Sequence, residues 1–193
     1  MKIIFLGTGT SQGIPVIGSN HPVCLSQNPK DKRLRVSVFI EWNDNAYVID
    51  CGPDFRQQML NIGATRLDGI LFTHEHADHT AGIDDIRPFF FRQGDIPIYA
   101  HARVLKALHK RFDYIFESEN KYPGAPSVKE HEIINAPFVL KDLEVVPING
   151  SHNKLQVFGF RFNNFAYLTD MKTIDNTEIE KIRGIEVVVI NAL

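Results

Sequence analysis

Cysteine is scarce in this 193-residue sequence, and neither sign of charge is in clear excess. Two cysteines, Cys24 and Cys51, are too few for a disulfide framework, so we expect free thiols in a reducing compartment. The formal net charge of −2 does not indicate a nucleic-acid or membrane surface. No apolar run approaches the ~20 residues of a membrane span, and the first strand-like run leads into a glycine-rich turn rather than a signal-peptide cleavage site. These absences predict a cytoplasmic protein with no membrane partner.

The hydrophobic share of 44% is enough for one domain, residues 1–193, with a sizeable core. Short runs rich in apolar and β-branched residues, bounded by turn residues, predict strands at 2–6, 35–41, 46–49, 69–72, 96–100, 143–148, 156–162, 165–168 and 186–190. Apolar spacing predicts helices at 55–62, 103–110 and 177–183. Hairpins mixed with helices fit an α/β fold with two sheets and outer helices.

The most informative feature of the sequence is a run of four candidate metal ligands, His74, His76, Asp78 and His79, within six residues. Imidazole suits zinc, and imidazole with carboxylate also suits iron or manganese, so the run predicts a divalent transition metal, with zinc favoured. A closed structural zinc site is the alternative interpretation. It is disfavoured because such sites prefer cysteine, whereas catalytic sites keep a coordination position open.

The run follows the predicted strand 69–72 and lacks apolar periodicity, so we expect it to be a loop at the strand's end. In an extended segment residues two apart point the same way, so His74 and His76 are expected to share one ion. Asp78 and His79 are expected to point elsewhere. Two adjacent metals, one for each half of the run, would suit displacement at phosphorus.

The segment from Thr73 to Gly82 resembles the signature of the metallo-β-lactamase superfamily. Further landmarks of that family follow in the expected order along the chain: Leu6-Gly7-Thr8-Gly9-Thr10, Val48-Ile49-Asp50-Cys51-Gly52, Gly150-Ser151-His152-Asn153-Lys154 and Tyr167-Leu168-Thr169-Asp170. The resemblance implies the αββα four-layer sandwich, with the metal site at one edge between the two sheets.

The resemblance also implies a ligand set. His152 would join His74 and His76 around the first metal, and Asp170 would bridge to a second metal held by Asp78 and His79. Without the resemblance, His152 would be interpreted as a solvated loop histidine and Asp170 as a helix N-cap.

One feature departs from the family pattern, which places a last histidine ligand of the second metal near the C-terminus. This sequence has no histidine after His152, and it stops directly after the predicted strand 186–190. We therefore expect the fold to lack a C-terminal segment present in relatives, and the second metal site to be incomplete.

Three smaller features refine the site. Lys154, two residues after His152, is placed to meet a substrate phosphate, although a solvated lysine is the alternative. His21 and Cys24 lie where phosphonate-pathway phosphodiesterases of this superfamily have a structural zinc knuckle, but two of its three cysteines are replaced here, so at most two ligands remain where four are normal. Asp50 and Asp54 are candidates for orienting the ligand imidazoles, with turn formation as the alternative.

The resemblance is strongest to that phosphodiesterase branch, with the tRNA 3′-end processing endonuclease as a close cousin. It implies hydrolysis of small or cyclic phosphodiesters by a metal-bound hydroxide, with two zinc ions as the expected cofactors, manganese or iron as alternatives, and Asp78 as the catalytic residue that orients the nucleophile. A small phosphodiester is the expected partner; large nucleic acid is not expected, and a homodimer stays open. The alternatives are a lactone or thioester hydrolase, or a metal- or cofactor-binding protein without turnover.

Overall fold

The computed structural model describes residues 1–119 and 121–191, which form two six-stranded sheets. The first sheet has its strands in chain order, and neighbours pair antiparallel from β1 to β3 and parallel from β3 to β6. Its strands are β1 Lys2–Gly7, β2 Ser37–Trp42, β3 Asn45–Ile49, β4 Gly69–Leu71, β5 Ile96–Ala100 and β6 Val128–Glu132.

The second sheet has the order β11-β8-β9-β10-β12, with β7 paired to β8. Its strands are β7 Phe138–Leu140, β8 Leu143–His152, β9 Leu155–Phe162, β10 Phe165–Leu168, β11 Thr173–Ile174 and β12 Val187–Ile190. The helices are α1 Pro22–Leu25, α2 Phe55–Asn61, α3 Ala77–Thr80, α4 Arg87–Gln93, α5 Ala102–Arg111, α6 Asp113–Phe116 and α7 Asn176–Ile179, with 3-10 turns at Pro29–Asp31, Ile83–Ile86 and Glu180–Ile182. In residues 1–119 and 121–191, no helix combines the length and apolarity that a membrane crossing requires.

Three buried clusters arrange these elements in four layers. Alternate residues of the central strands face opposite ways: Val48 packs with α2, α4 and α5 on the outer face of the first sheet, whereas Tyr47 and Ile49 pack between the sheets. On the outer face of the second sheet, Ile148 and Leu168 pack with residues around the turn at Glu180–Ile182. The αββα sandwich expected from the sequence is therefore present.

The predicted strands are all found, most with ends shifted by one or two residues. The largest difference is β8, which runs on to His152 rather than ending at residue 148, because its hairpin partner β9 pairs with it as far as Leu155. His152 is therefore the last residue of a strand and not part of a loop. The predicted helix at 177–183 is instead α7 followed by a 3-10 turn.

Candidate metal centre

The ligand run begins as extended backbone and ends as a helical turn. β4 ends at Leu71, and α3 begins after His76, whose backbone is still extended. The His76 carbonyl accepts hydrogen bonds from the Thr80 hydroxyl (2.9 Å) and the His79 amide (3.1 Å), which closes the turn. The prediction of a loop is therefore wrong for the second half of the run, which is too short to show helical periodicity.

The first half brings two imidazoles together as predicted. His74 Nε2 lies 3.0 Å from His76 Nδ1. Two nitrogens at about 2.05 Å from a tetrahedral zinc would lie about 3.3 Å apart, so this separation is close to what a shared ion requires. His74 is fully buried, whereas His76 is exposed, so the pair opens toward solvent on the His76 side.

His79 does not point away from this pair, contrary to the prediction. Its ring centroid lies 4.1 Å from that of His74, and its Nε2 lies 3.4 Å from both Asp78 Oδ2 and Asp170 Oδ2. This Nε2 is fully buried, and within the described residues it has no hydrogen-bond partner. A buried nitrogen without a partner, facing two carboxylates, fits a group that binds a cation.

Asp50, directly after β3, determines which nitrogen of each buried imidazole is free. Its Oδ2 accepts from His79 Nδ1 (2.7 Å) and from the Thr73 hydroxyl (2.7 Å). Because the Thr73 hydroxyl donates to Asp50, its oxygen is left to accept from His74 Nδ1, 3.0 Å away. In its neutral form, each imidazole would then carry its proton on Nδ1 and present an unprotonated Nε2 toward Asp170.

Asp54, the other candidate for orienting the imidazoles, has a different role. Its carboxylate accepts from the Arg35 amide (2.8 Å) and pairs with the Arg35 guanidinium (2.9 Å). It therefore holds the start of α2 against the segment before β2 rather than any candidate ligand.

The second sheet contributes His152 and Asp170. The His152 ring lies 5.7 Å from that of His76 and 6.3 Å from that of His74. Asp170 follows β10 with a left-handed backbone (φ 56°), and its Oδ1 accepts from the Thr169 hydroxyl. Its Oδ2 lies 3.9 Å from His74 Nε2 and 3.4 Å from His79 Nε2, so this oxygen stands between the two halves of the run, as a bridging ligand would.

The described chain contains one group of three or more side chains close enough to hold a metal ion, His74, His79 and Asp170, whose ligand atoms lie within 4.8 Å of one another. The pKa values of these residues describe a centre that favours a cation. Burial, aided by the neighbouring His79, lowers the pKa of His74 to about 3, so this imidazole is neutral. Burial also lowers the pKa of His79, but the carboxylates around it, Asp50 first, outweigh burial and raise that pKa well above its usual value.

The same balance applies to the acids. Burial raises the pKa of Asp170, but the close contact with His79 and the charge of that ring outweigh burial and hold the pKa of Asp170 well below its usual value. The pKa of Asp78 is lowered in the same way. The raised pKa of His79 and the lowered pKa values of both carboxyls mean that, without a metal, a protonated His79 lies between ionised carboxylates; a divalent cation would replace the proton on His79 Nε2.

The other predicted site residues, Lys154, His21 and Cys24, are not part of the group formed by His74, His79 and Asp170. Lys154 is exposed in the turn between β8 and β9, beside a cavity of about 400 Å³ that Ser151, Gln156 and Thr173 also line. His21 caps α1, because its Nδ1 accepts from the Val23 amide. No third ligand joins His21 and Cys24 among the residues that the structure describes, so the predicted zinc knuckle gains no support from the geometry.

Sequence reasoning missed two arginines of α5 that contact this centre. Arg103 pairs with Glu75, the residue between His74 and His76, and Arg111 donates to the Thr80 hydroxyl and the Glu75 carbonyl. Nothing in the local pattern marks them, because the contacts form only when α5 packs against the run.

Comparison with known proteins places this geometry in a family. A family profile described as "Beta-lactamase superfamily domain" matches residues 45–193. A curated protein named octanoyltransferase, from Porphyromonas gingivalis, is 40% identical over 195 residues, which cover 100% of this chain and 39% of that protein. A ribonuclease Z from Methanocaldococcus jannaschii is 28% identical over 104 residues, 51% of this chain and 28% of that protein. The chain thus spans well under half the length of these curated relatives.

A solved structure described as a new diphosphatase from the PhnP family superposes with a TM-score of 0.88 at 35% sequence identity, over 96% of this chain and 71% of that chain. With the profile matching more than half of the residues, the chain belongs to the metallo-β-lactamase superfamily.

Proposed function

We propose that the protein is a metal-dependent hydrolase of small phosphodiesters. The observation that carries this proposal is the position of Asp170 Oδ2 between the free Nε2 atoms of His74 and His79, with the His74–His76 pair on one side and Asp78 on the other. Such a row of donors fits two neighbouring ions, the arrangement used for displacement at phosphorus. Membership of the superfamily supports a hydrolase, and the relatives named diphosphatase and ribonuclease Z support a phosphoryl substrate.

In this proposal His74, His76 and His152 hold the first ion, Asp78 and His79 hold the second, and Asp170 is shared. Two zinc ions are the expected cofactors, with manganese or iron as alternatives. When bound, these ions supply Lewis acidity toward the phosphoryl oxygens and lower the pKa of water toward about 7. With Asp170 shared, the first ion would have four of these ligands and the second ion three.

The chain's own residues carry the other tasks. Asp78 has a lowered pKa, and its Oδ2 lies 3.4 Å from His79 Nε2. Its carboxylate can therefore accept a hydrogen bond from a water and orient that water. The exposed His76 marks the side from which substrate enters. Lys154, beyond His152, would attract the negative charge of a phosphodiester. The cytoplasmic location and the exclusion of large nucleic acid stay predictions.

An acyl-ester or thioester hydrolase is the second candidate function. The relative named octanoyltransferase favours it, because its name denotes acyl chemistry and it matches the whole length of this chain. This chain covers 39% of that protein, so the match does not say which part of the relative acts on acyl groups.

The deciding experiment measures metal content per chain by mass spectrometry on protein purified without chelator. The same preparation is assayed for hydrolysis of bis-p-nitrophenyl phosphate and of p-nitrophenyl octanoate. We expect near two metals per chain and turnover of the phosphodiester, and we expect His76→Ala to lose both metal and turnover. Turnover of the octanoate alone would favour the second candidate, and metal without turnover of either would favour a binding protein.

A further inference from the structure

Helix α5 holds the residue that separates the two paired imidazoles. Arg103, in its first turn, places Nη1 2.8 Å from Glu75 Oε1. Arg111, at its last residue, donates from Nη1 to the Thr80 hydroxyl (3.0 Å) and from Nη2 to the Glu75 carbonyl. The carboxylate and the carbonyl of Glu75 are thus held by the two ends of one helix.

The second arm of Arg103 reaches the other sheet. Its Nη2 donates to the Gln156 carbonyl at 2.5 Å. Gln156 pairs with Ser151 across the β8–β9 hairpin, and the next pair of that hairpin is His152 with Leu155. One guanidinium therefore connects the residue before His76 with the strand pair that ends at His152.

We propose that Arg103 is a positioning residue that sets the separation between His76 and His152 by holding Glu75 to Gln156. This inference rests on the proposed function, because it needs both histidines to bind one ion. The link matters because the two histidines lie on different sheets, and the His152 ring is 5.7 Å from that of His76. Ligands on separate elements keep a site ready only when something fixes the elements to each other.

The chemistry of the contact favours arginine. The planar guanidinium donates in two directions at once, to a carboxylate and to a backbone carbonyl, whereas a lysine carries its charge on a single nitrogen. Glu75 is largely buried, with 18% of its side chain exposed. Its Oε2 has no hydrogen-bond partner among the described residues, so Arg103 supplies the charge that keeps this carboxylate in place.

The experiment compares Arg103→Met, Arg103→Lys and Glu75→Gln, the double variant of Arg103→Met with Glu75→Gln, and the control Arg161→Met. Arg161 is a matched control because it lies on β9 of the second sheet and its guanidinium also donates to backbone carbonyls, those of Asn163 and Lys181. The measurements are zinc affinity by competition with a chromophoric chelator, the absorption spectrum of the cobalt-substituted protein, and the melting temperature of the metal-free protein.

We expect Arg103→Met to weaken zinc binding about 10–100-fold, as for other residues that orient metal ligands, and to change the cobalt spectrum. Arg103→Lys should lie between Arg103→Met and the wild type, and Arg161→Met should bind zinc like the wild type. The double variant should bind zinc no more weakly than Arg103→Met, because both substitutions break the same link.

Wild-type affinity and an unchanged cobalt spectrum in folded Arg103→Met would overturn the positioning role while leaving the proposed function intact. A wild-type protein that binds none of zinc, manganese and iron would overturn both. If Arg103→Met does not fold, Arg103→Lys decides: weakened zinc binding at an unchanged metal-free melting temperature supports the role, and unchanged binding overturns it.

Discussion

At the scale of single residues, Asp50 has the widest influence on the candidate centre. One carboxylate accepts from the Thr73 amide and hydroxyl and from His79 Nδ1, and through that hydroxyl it orients His74. Asp50 is buried, and a buried polar group of this kind stabilises the structure around it when its hydrogen bonds are complete. The left-handed backbone of Asp50 (φ 60°) aims its side chain back at the end of β4.

Asp50 is not a proposed metal ligand, but because it orients two ligands, Asp50→Asn should weaken metal binding. An amide has one accepting oxygen in place of two, so an N–H donor would face either the Thr73 amide or the Thr73 hydroxyl and His79 Nδ1, and the order around the imidazoles is disturbed. We expect metal affinity to fall about 10–100-fold, measured by chelator competition. The control is Asp54→Asn, which disturbs the Arg35 pair and should leave affinity within a factor of about two. Equal effects of the two substitutions would contradict the role of Asp50.

Gly52 is a second residue on which the site depends. A Cβ at this position would lie 1.9 Å from the Asp78 carbonyl oxygen, so the backbone of the ligand run would have to move. We expect Gly52→Ala to lower the free energy of unfolding by about 1–3 kcal/mol, as overpacking does, and to reduce metal content. Denaturant unfolding and metal analysis check this. In the control Gly124→Ala, the new Cβ meets the end of the exposed Tyr122 ring, which can turn aside, and the Arg87 guanidinium at an ordinary contact distance of 3.5 Å. A stable Gly52→Ala with full metal content would show that the run tolerates the shift.

At the scale of elements, β4 depends on an acid at its start. Asp68 Oδ2 accepts from the Ala46 amide (2.9 Å) and from Arg66 Nε (2.6 Å), which fixes β4 beside β3. Burial raises the pKa of Asp68, but the hydrogen bonds and charge of Arg66 and the Ala46 amide outweigh it, so the pKa is lowered. A carboxyl whose pKa is lower in the folded than in the unfolded protein stabilises the fold above its unfolded pKa. That stabilisation is lost as the pH falls through its folded pKa.

Asp68→Asn should accordingly cost stability at neutral pH and much less in acid. We expect the free energy of unfolding to fall by about 1.5–3 kcal/mol at pH 7, which is typical of hydrogen bonds to a charged group. The difference from the wild type should narrow below about pH 4, where the unfolded aspartate protonates. Urea unfolding at pH 7, 4.5 and 3 measures this difference in the free energy of unfolding. The control is Asp95→Asn, at an exposed position. A difference that stays constant with pH would mean that the charge of Asp68 does not contribute.

The elements also show what the sequence could and could not predict. β5 (Ile96–Ala100) was predictable because alternate residues are buried, and that alternation shows in the sequence. β6 (Val128–Glu132) was not, because its charged sequence has no apolar alternation and the strand exists through its pairing with β5. The ligand run is readable because its residues are adjacent. That His152 and Asp170 belong to the site could be predicted only from the family resemblance. The contacts of Arg103 could not be predicted, because they depend on how α5 packs.

At the scale of the whole molecule, the candidate centre lies where the two sheets meet. The first sheet provides the run after β4, and the second provides His152 and Asp170. The sheets are also joined here by the backbone, because the Phe158 amide donates to the Thr73 carbonyl (3.0 Å). Elsewhere the sheets meet through apolar packing and, at the far edge, through hydrogen bonds from Trp42 and Asn43 to Asp142. A metal held by residues of both sheets would bind only when they are docked.

Metal binding should therefore stabilise the whole fold rather than one loop. A ligand that binds only the folded state adds about 2.7 kcal/mol when present at 100 times its Kd. For a domain of this size that raises the melting temperature by about 5–10 °C. We expect zinc to raise the midpoint in calorimetry by that amount and EDTA to reverse the effect.

His152→Ala tests whether His152 takes part, because it removes the one second-sheet ligand that serves the first ion alone. Asp170, which the two ions share, stays in place, so we expect this variant to lose part of the zinc-induced rise. The control His109→Ala should keep it, since His109 stacks on Phe116 and pairs with Glu130 outside the centre. If His152→Ala keeps the full rise, His152 is not a ligand, and the metal stabilises the first sheet and Asp170 without it.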